Sequence, residues 1–166
     1  IINVDQFMLS DGQGGQITQH TTGEVWEGCY AEIPNVQVVD VSYGTGSNTG
    51  RIFWSIQDQF GNKMGVRDVS GWIRNDTFDN FCTSIGSNTP DTWDISPYIG
   101  ATVSYVRGQI LEYCSSNSGC QYYISPRDFN DIGPITAAPP VVSNVTLSNS
   151  VPGTSQSQTV SATITD

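Results

Sequence analysis

The chain holds one histidine, His20, so any serine–histidine–aspartate chemistry would have to run through it. It sits in the polar stretch Thr18-Gln19-His20-Thr21-Thr22, with no nucleophile-elbow motif beside it, and reads as an exposed loop histidine. Paired carboxylates are the other route to hydrolysis, because a glycosidase places two of them across the sugar. Glu24, Glu27 and Glu32 flank Trp26 and Tyr30. On a strand, however, Glu24 and Glu27 would point to opposite faces. No E-x-D-x-E spacing is present. An enzyme is not expected.

Oxygen ligands for a hard cation are densest at Asn75, Asp76, Asp79 and Asn80. The order is not that of an EF-hand loop, which needs D-x-D-x-D-G. A solvated turn is the preferred reading there, with a structural calcium at Asp76 and Asp79 as the alternative. No other cofactor is implied.

Aromatic residues offer a different chemistry, since pyranose rings present apolar C–H faces to flat side chains. Trp54 alternates with Ile52 and Ile56 and belongs to a core, and Trp93 reads as packed too. Trp26, Trp72, Tyr122 and Tyr123 stand beside turns among polar neighbours and are the candidates for a ligand platform. Burial competes with that role and is favoured for side chains of this size.

These residues must be positioned by strands. No window repeats apolar residues at helical spacing, whereas strand-like runs recur between Gly/Asn/Ser turns. Ile1 to Leu9 reads as the first. Val36 to Tyr43 and Arg51 to Gln59 follow, and Met64 to Val69 with Gly71 to Arg74 suggests a hairpin. Ala101 to Tyr113 is the longest run, and Gly108 within it marks a bulge or bend. The expected fold is all-β, an antiparallel sandwich over residues 1–137.

Four cysteines lack the C-x-x-C spacing of zinc or thioredoxin-like sites. Cys114 and Cys120 bracket a turn-forming loop, which favours a bridge between them and leaves Cys29–Cys82 as a long-range partner pair. Disulfides imply an oxidising compartment, so an extracellular or cell-surface location is expected. The 16 acidic and 6 basic residues give a net charge of −10. Nucleic acid is excluded as a partner by the lack of any Lys/Arg cluster, and so is an anionic membrane surface. No apolar run approaches the ~20 residues of a membrane-spanning helix. Asn75 and Asn144 head glycosylation sequons of low specificity.

Gly133 to Pro140 is proline-rich and reads as a linker, opening a second segment at 138–166. Beyond it lie Val141 to Leu147 and Gln156 to Thr165, two strands whose Val141, Val145, Leu147, Val160, Ala162 and Ile164 form apolar stripes. A lone two-stranded hairpin is marginal in water. The stripe therefore needs cover from its own domain, from a neighbouring domain or from another copy of the chain.

The run from Pro139 to Thr146, with Gln158 to Asp166, resembles the opening strands of bacterial immunoglobulin-like repeats. Thr92 to Val103 is similar to the entry into a late strand of jelly-roll, galactose-binding-like modules of secreted hydrolases and adhesins. Together these resemblances imply a jelly-roll-like sandwich followed by an immunoglobulin-like fragment or an exchanged hairpin. The polar, lysine-poor surface, the disulfides and a tail unable to stand alone point to a non-catalytic structural or adhesive module, a building block of a surface fibre or modular adhesin. The alternative is a carbohydrate-binding module appended to a secreted hydrolase. Neither resemblance carries functional residues, so none is transferred.

Overall fold

The computed structural model describes residues 1–43, 52–67, 69, 95–116, 119–136, 141–147 and 159–165. The architecture is all-β, as the strand signals predict. A hairpin of β1 (Met8–Ser10) and β2 (Gln16–Thr18) leads through a single helical turn, α1 (His20–Gly23), into the main sheet. That sheet comprises β3 (Tyr30–Tyr43), β4 (Ile52–Gln57), β5 (Lys63–Val66), β6 (Thr102–Ser115), β7 (Gly119–Ser125) and the short β8 (Ile135–Thr136). Its order is β3-β4-β5-β7-β6-β8, and β3 also pairs with β6. Five strands thus close into a ring whose two halves face each other across one core, as the layers of a sandwich do.

Closure depends on the length of β3. Its first half pairs with β6, from Tyr30↔Gln109 to Gln37↔Thr102, and its second half pairs with β4, from Gln37↔Gln57 to Tyr43↔Ile52. A register shift between Val38 and Asp40 bends the strand from one partner to the other. The pairing of β5 with β7 is parallel, Gly65 opposite Tyr123, while every other pairing in the ring is antiparallel.

Alternation fills the ring. Ile52, Trp54 and Ile56 on β4, Met64 and Val66 on β5, and Tyr122 and Ile124 on β7 are all buried. They meet Ile33, Val36 and Val38 of β3 and Val103, Val106 and Ile110 of β6 in one cluster that also includes Ile2, Val4, Phe7 and Ile95. Gly108 lies where the chain at Ser125–Pro126 passes closest: a Cβ there would meet the Ser125 carbonyl at 2.4 Å. The sequence signal at Gly108 is therefore a close backbone approach.

The amino-terminal expectation needs correction. Ile1 to Leu9 is not one strand, because Val4–Gln6 forms a 3₁₀ turn and only Met8–Ser10 is extended. Phe7 and Met8 are both buried, which strict alternation along a strand would forbid. The carboxy-terminal segment forms a separate antiparallel pair, β9 (Val141–Leu147) with β10 (Val160–Thr165). Its register sets Val160 opposite Leu147 and Ile164 opposite Val142, with an irregularity between Ser161 and Thr163. Gly71 to Arg74, Asn75, Cys82 and Trp93 lie outside the described residues, as do 137–140 of the linker.

Candidate ligand-binding groove

On the strands that form the ring, the residues between buried positions face outward. Phe53 and Ser55 on β4, Lys63 and Gly65 on β5, and Gln121 and Tyr123 on β7 are all partly exposed. They line one groove of about 250 Å³, joined by Asp40 and Ser42 from β3 and by Arg67 just past β5. Three features fix its shape. Lys63 Nζ donates to Asp40 Oδ2 at 2.9 Å, an ion pair that reaches across β4. Gln16 accepts from the Lys63 backbone N–H at 2.8 Å and donates to Gly61 O at 3.1 Å, tying the β1–β2 hairpin to the rim. Gly65 leaves room for the Tyr123 ring to lie over the strand.

Arg67 completes the groove. Its guanidinium carbon is 4.4 Å from the centre of the Tyr113 ring and 5.1 Å from that of Tyr123, within cation–π range of both. Its backbone N–H bonds Ile124 O at 3.0 Å, continuing the parallel β5–β7 ladder. The Cys114–Cys120 disulfide expected from the sequence is formed, across the β6–β7 hairpin that carries Tyr113, Gln121 and Tyr123. Thr18 Oγ1 also donates to Cys120 O at 2.6 Å, which anchors that hairpin to β2. The groove thus combines aromatic faces with donors and acceptors on rigid strands, the composition of a site for a polar ligand with apolar edges.

Of the aromatic candidates, Tyr122 and Tyr123 both border this groove, but only Tyr123 is partly exposed there. Tyr122 is 1% exposed and packs against Phe7 in the core, so it offers no ring to a ligand. Trp26 is partly exposed on the 3₁₀ turn Glu24–Trp26, away from the groove lining. Trp72 lies outside the described residues, as do Asp76 and Asp79. Cys29 is exposed and carries no disulfide among the described residues, and Cys82 is not among them. Val145, Val160 and Ala162 of the hairpin are exposed.

A second cluster joins residues that the sequence reading separated. Glu24 and Glu27 bracket a turn and do not lie on a strand, so both carboxylates reach Glu112 of β6, with oxygens of all three within 4.8 Å of one another. His20 Nδ1 lies 2.9 Å from Glu112 Oε1, at ion-pair distance but without hydrogen-bond geometry. Tyr122 donates to Glu24 Oε2 at 3.4 Å. Burial pushes its phenol up to about 12, and the negative charges of Glu112, Glu24 and Glu27 add to the effect. These carboxylates are oxygen ligands of the kind hard cations take. Cys114 and Cys120 beside Glu112 are already joined to each other and offer no thiolate.

A third cluster is structural. Asp131, 4% exposed, accepts from the Tyr30 hydroxyl and from the Arg127 backbone N–H at 2.8 Å, and Arg127 also donates to the Tyr30 hydroxyl at 3.2 Å. Burial raises the Asp131 carboxyl, but the hydrogen bonds from Tyr30 and Arg127 and the Arg127 charge outweigh it and leave the group below its ordinary range. The cluster fastens the turn Phe129–Asp131 to the start of β3.

No protein-family model, curated protein or solved structure matches the chain.

The groove residues Asp40, Phe53, Lys63, Arg67 and Gln121 were not singled out by sequence reasoning. A signal existed at Phe53, an aromatic residue on the outward face of a strand whose inward face is Ile52, Trp54 and Ile56. Another existed at Lys63, the only lysine. What brings Arg67 between Tyr113 and Tyr123 is the parallel β5–β7 pairing, which no local pattern announces.

Proposed function

We propose that this chain is a non-catalytic extracellular recognition module that holds a glycan in the groove over β4, β5 and β7. The observation that carries the reading is the groove itself, where Phe53 and Tyr123 stand among Asp40, Lys63, Arg67 and Gln121. Aromatic faces suit the apolar C–H side of a sugar, and the polar residues suit its hydroxyls. Small five-stranded Greek-key barrels of the oligonucleotide- and oligosaccharide-binding type receive ligands on the face of their second and third strands, and β4 and β5 are the second and third strands of this ring. That support is fold-level analogy. Between the two ligand classes, a net charge of −10 favours the sugar. The Cys114–Cys120 bridge suits an oxidising compartment.

Glycan-array screening followed by calorimetry on the best hit tests the reading. Tyr123→Ala and Phe53→Ala should each weaken binding at least tenfold while Trp26→Ala leaves it unchanged. Binding that survives both groove substitutions would overturn it.

A fibre-building role is the second reading, and the β9–β10 pair favours it. That pair forms its own sheet, with Val145 60% and Val160 63% exposed. Adding those strands to a sheet of another copy, or of a neighbouring domain, would satisfy their open edges. Light scattering before and after truncation following Ala138 tests it. A full chain that is monomeric at high concentration would count against strand exchange.

A further inference from the structure

We propose that the groove selects an acidic oligosaccharide, one with isolated carboxylate-bearing sugars among neutral ones, and that Arg67 is the anchor for the carboxylate. The inference rests on the glycan reading above and sharpens it. Four basic residues are described, and three of them already face acids. Lys63 is 2.9 Å from Asp40, Arg107 is 2.6 Å from Glu32, and Arg127 is 3.5 Å from Asp131. Arg67 has no acidic partner among the described residues.

What surrounds Arg67 explains how it is held at the groove. The Tyr113 and Tyr123 rings hold the guanidinium between them, its central carbon 4.4 and 5.1 Å from their centres. The five N–H donors of a guanidinium project from the edge of its plane. A guanidinium held that way matches a carboxylate with two parallel hydrogen bonds, a geometry that Lys cannot reproduce. Tyr123 at the same time lines the groove, so a sugar stacked on that ring brings its carboxylate within reach of Arg67.

The rest of the molecule limits the charge of the ligand. A net charge of −10 repels a dense polyanion at long range, and Asp40 stands in the same groove, holding Lys63. One cation for one carboxylate fits a chain that alternates acidic and neutral sugars. It does not fit a phosphodiester, which carries a charge at every nucleotide.

The test uses the full 166-residue chain. The probes are a hexasaccharide alternating a uronate with an N-acetylhexosamine and the same compound after carboxyl reduction, each titrated at low and high ionic strength. The acidic form should bind about tenfold more tightly than the reduced form, and salt should erase most of that difference. Arg67→Gln should lower the acidic form about tenfold, to near the level of the reduced one, and weaken the reduced one by much less. Arg67→Lys, which keeps the charge and the stem, should recover only part of the preference. Equal affinity for both forms, or an Arg67→Gln variant that loses both equally, overturns the acid selectivity and leaves the groove reading standing. Binding of neither form overturns both. A single-stranded DNA oligomer that binds more tightly than the acidic sugar overturns the choice of occupant.

Discussion

The ring of Tyr123 lies against the backbone of Gly65: a Cβ built on Gly65 would stand 2.5 Å from both Cδ1 and Cε1 of that ring. The two residues are direct partners in the parallel β5–β7 pairing, so the contact follows from register. Gly65→Ala should therefore push the tyrosine off the strand, costing about 1–3 kcal/mol and weakening glycan binding about tenfold. Tyr123→Ala removes the ring that clashes. The double variant should then be more stable than the sum of the single losses implies, which a thermal-melting double-mutant cycle measures.

Tyr122, on the next position of the same strand, behaves differently because it faces the core. Its phenol is raised from 10.0 to about 12 by burial and then by the carboxylates around it. A folded-state value above the unfolded one means that the associated stability is fully present below pH 10 and is lost as pH climbs to about 12. A rise from 10.0 to about 12 corresponds to about 3 kcal/mol. Ultraviolet titration should show a late tyrosine in the wild type that is missing in Tyr122→Phe. The variant's stability should also change less across that pH window.

Neighbouring tyrosines with opposite fates show what the sequence could and could not reveal. Alternation on β4 put Ile52, Trp54 and Ile56 on one face, and all three are buried. The same period-two rule gives Tyr122 and Tyr123 different faces, but it does not say which face is inside. That is settled by pairing with β5 and β6, many residues away. Local turn chemistry was legible where the contact is local, as at Cys114–Cys120. It misled at Glu24 and Glu27, where a 3₁₀ turn takes the place of the strand on which their separation was argued. Ring closure was not legible at all. It rests on a single strand, β3, that changes partner halfway, and either half alone reads as ordinary.

Asp131 supplies an acid-side test. Although burial alone would raise it, hydrogen bonds from Tyr30 and Arg127 and the Arg127 charge hold the carboxyl below 3.8. A depressed folded-state value contributes stability that is present above the unfolded value and is lost as pH falls through the folded one. Asp131→Asn should be destabilised by about 1–3 kcal/mol near neutrality, because the donors lose a charged acceptor. Its denaturant midpoint should then fall less steeply than the wild type's as pH drops below 3.8. A parallel decline in both proteins would show that Asp131 does not carry this acid sensitivity.

Gly108 provides the sharpest test of the closed ring. It lies on β6 opposite Ala31 of β3, while the next residue, Gln109, pairs with Ser125 of β7. Here three segments converge, and the space for a side chain is taken by backbone: Ser125 C and O at 2.4 Å and Pro126 N at 2.8 Å from the position a Cβ would occupy. A side-chain obstacle could rotate away, as Tyr123 can from Gly65. A backbone obstacle is held by the Gln109↔Ser125 pairing and can yield only by opening the β6–β7 ladder. Gly108→Ala should therefore cost more than Gly65→Ala, at the upper end of about 1–3 kcal/mol or beyond it. The loss should appear as faster hydrogen exchange at the β6–β7 pairs nearest Gln109, with the β9–β10 pair unaffected. Were Gly108→Ala as stable as the wild type, β6 and the Ser125–Pro126 segment could not approach as closely as the ring requires.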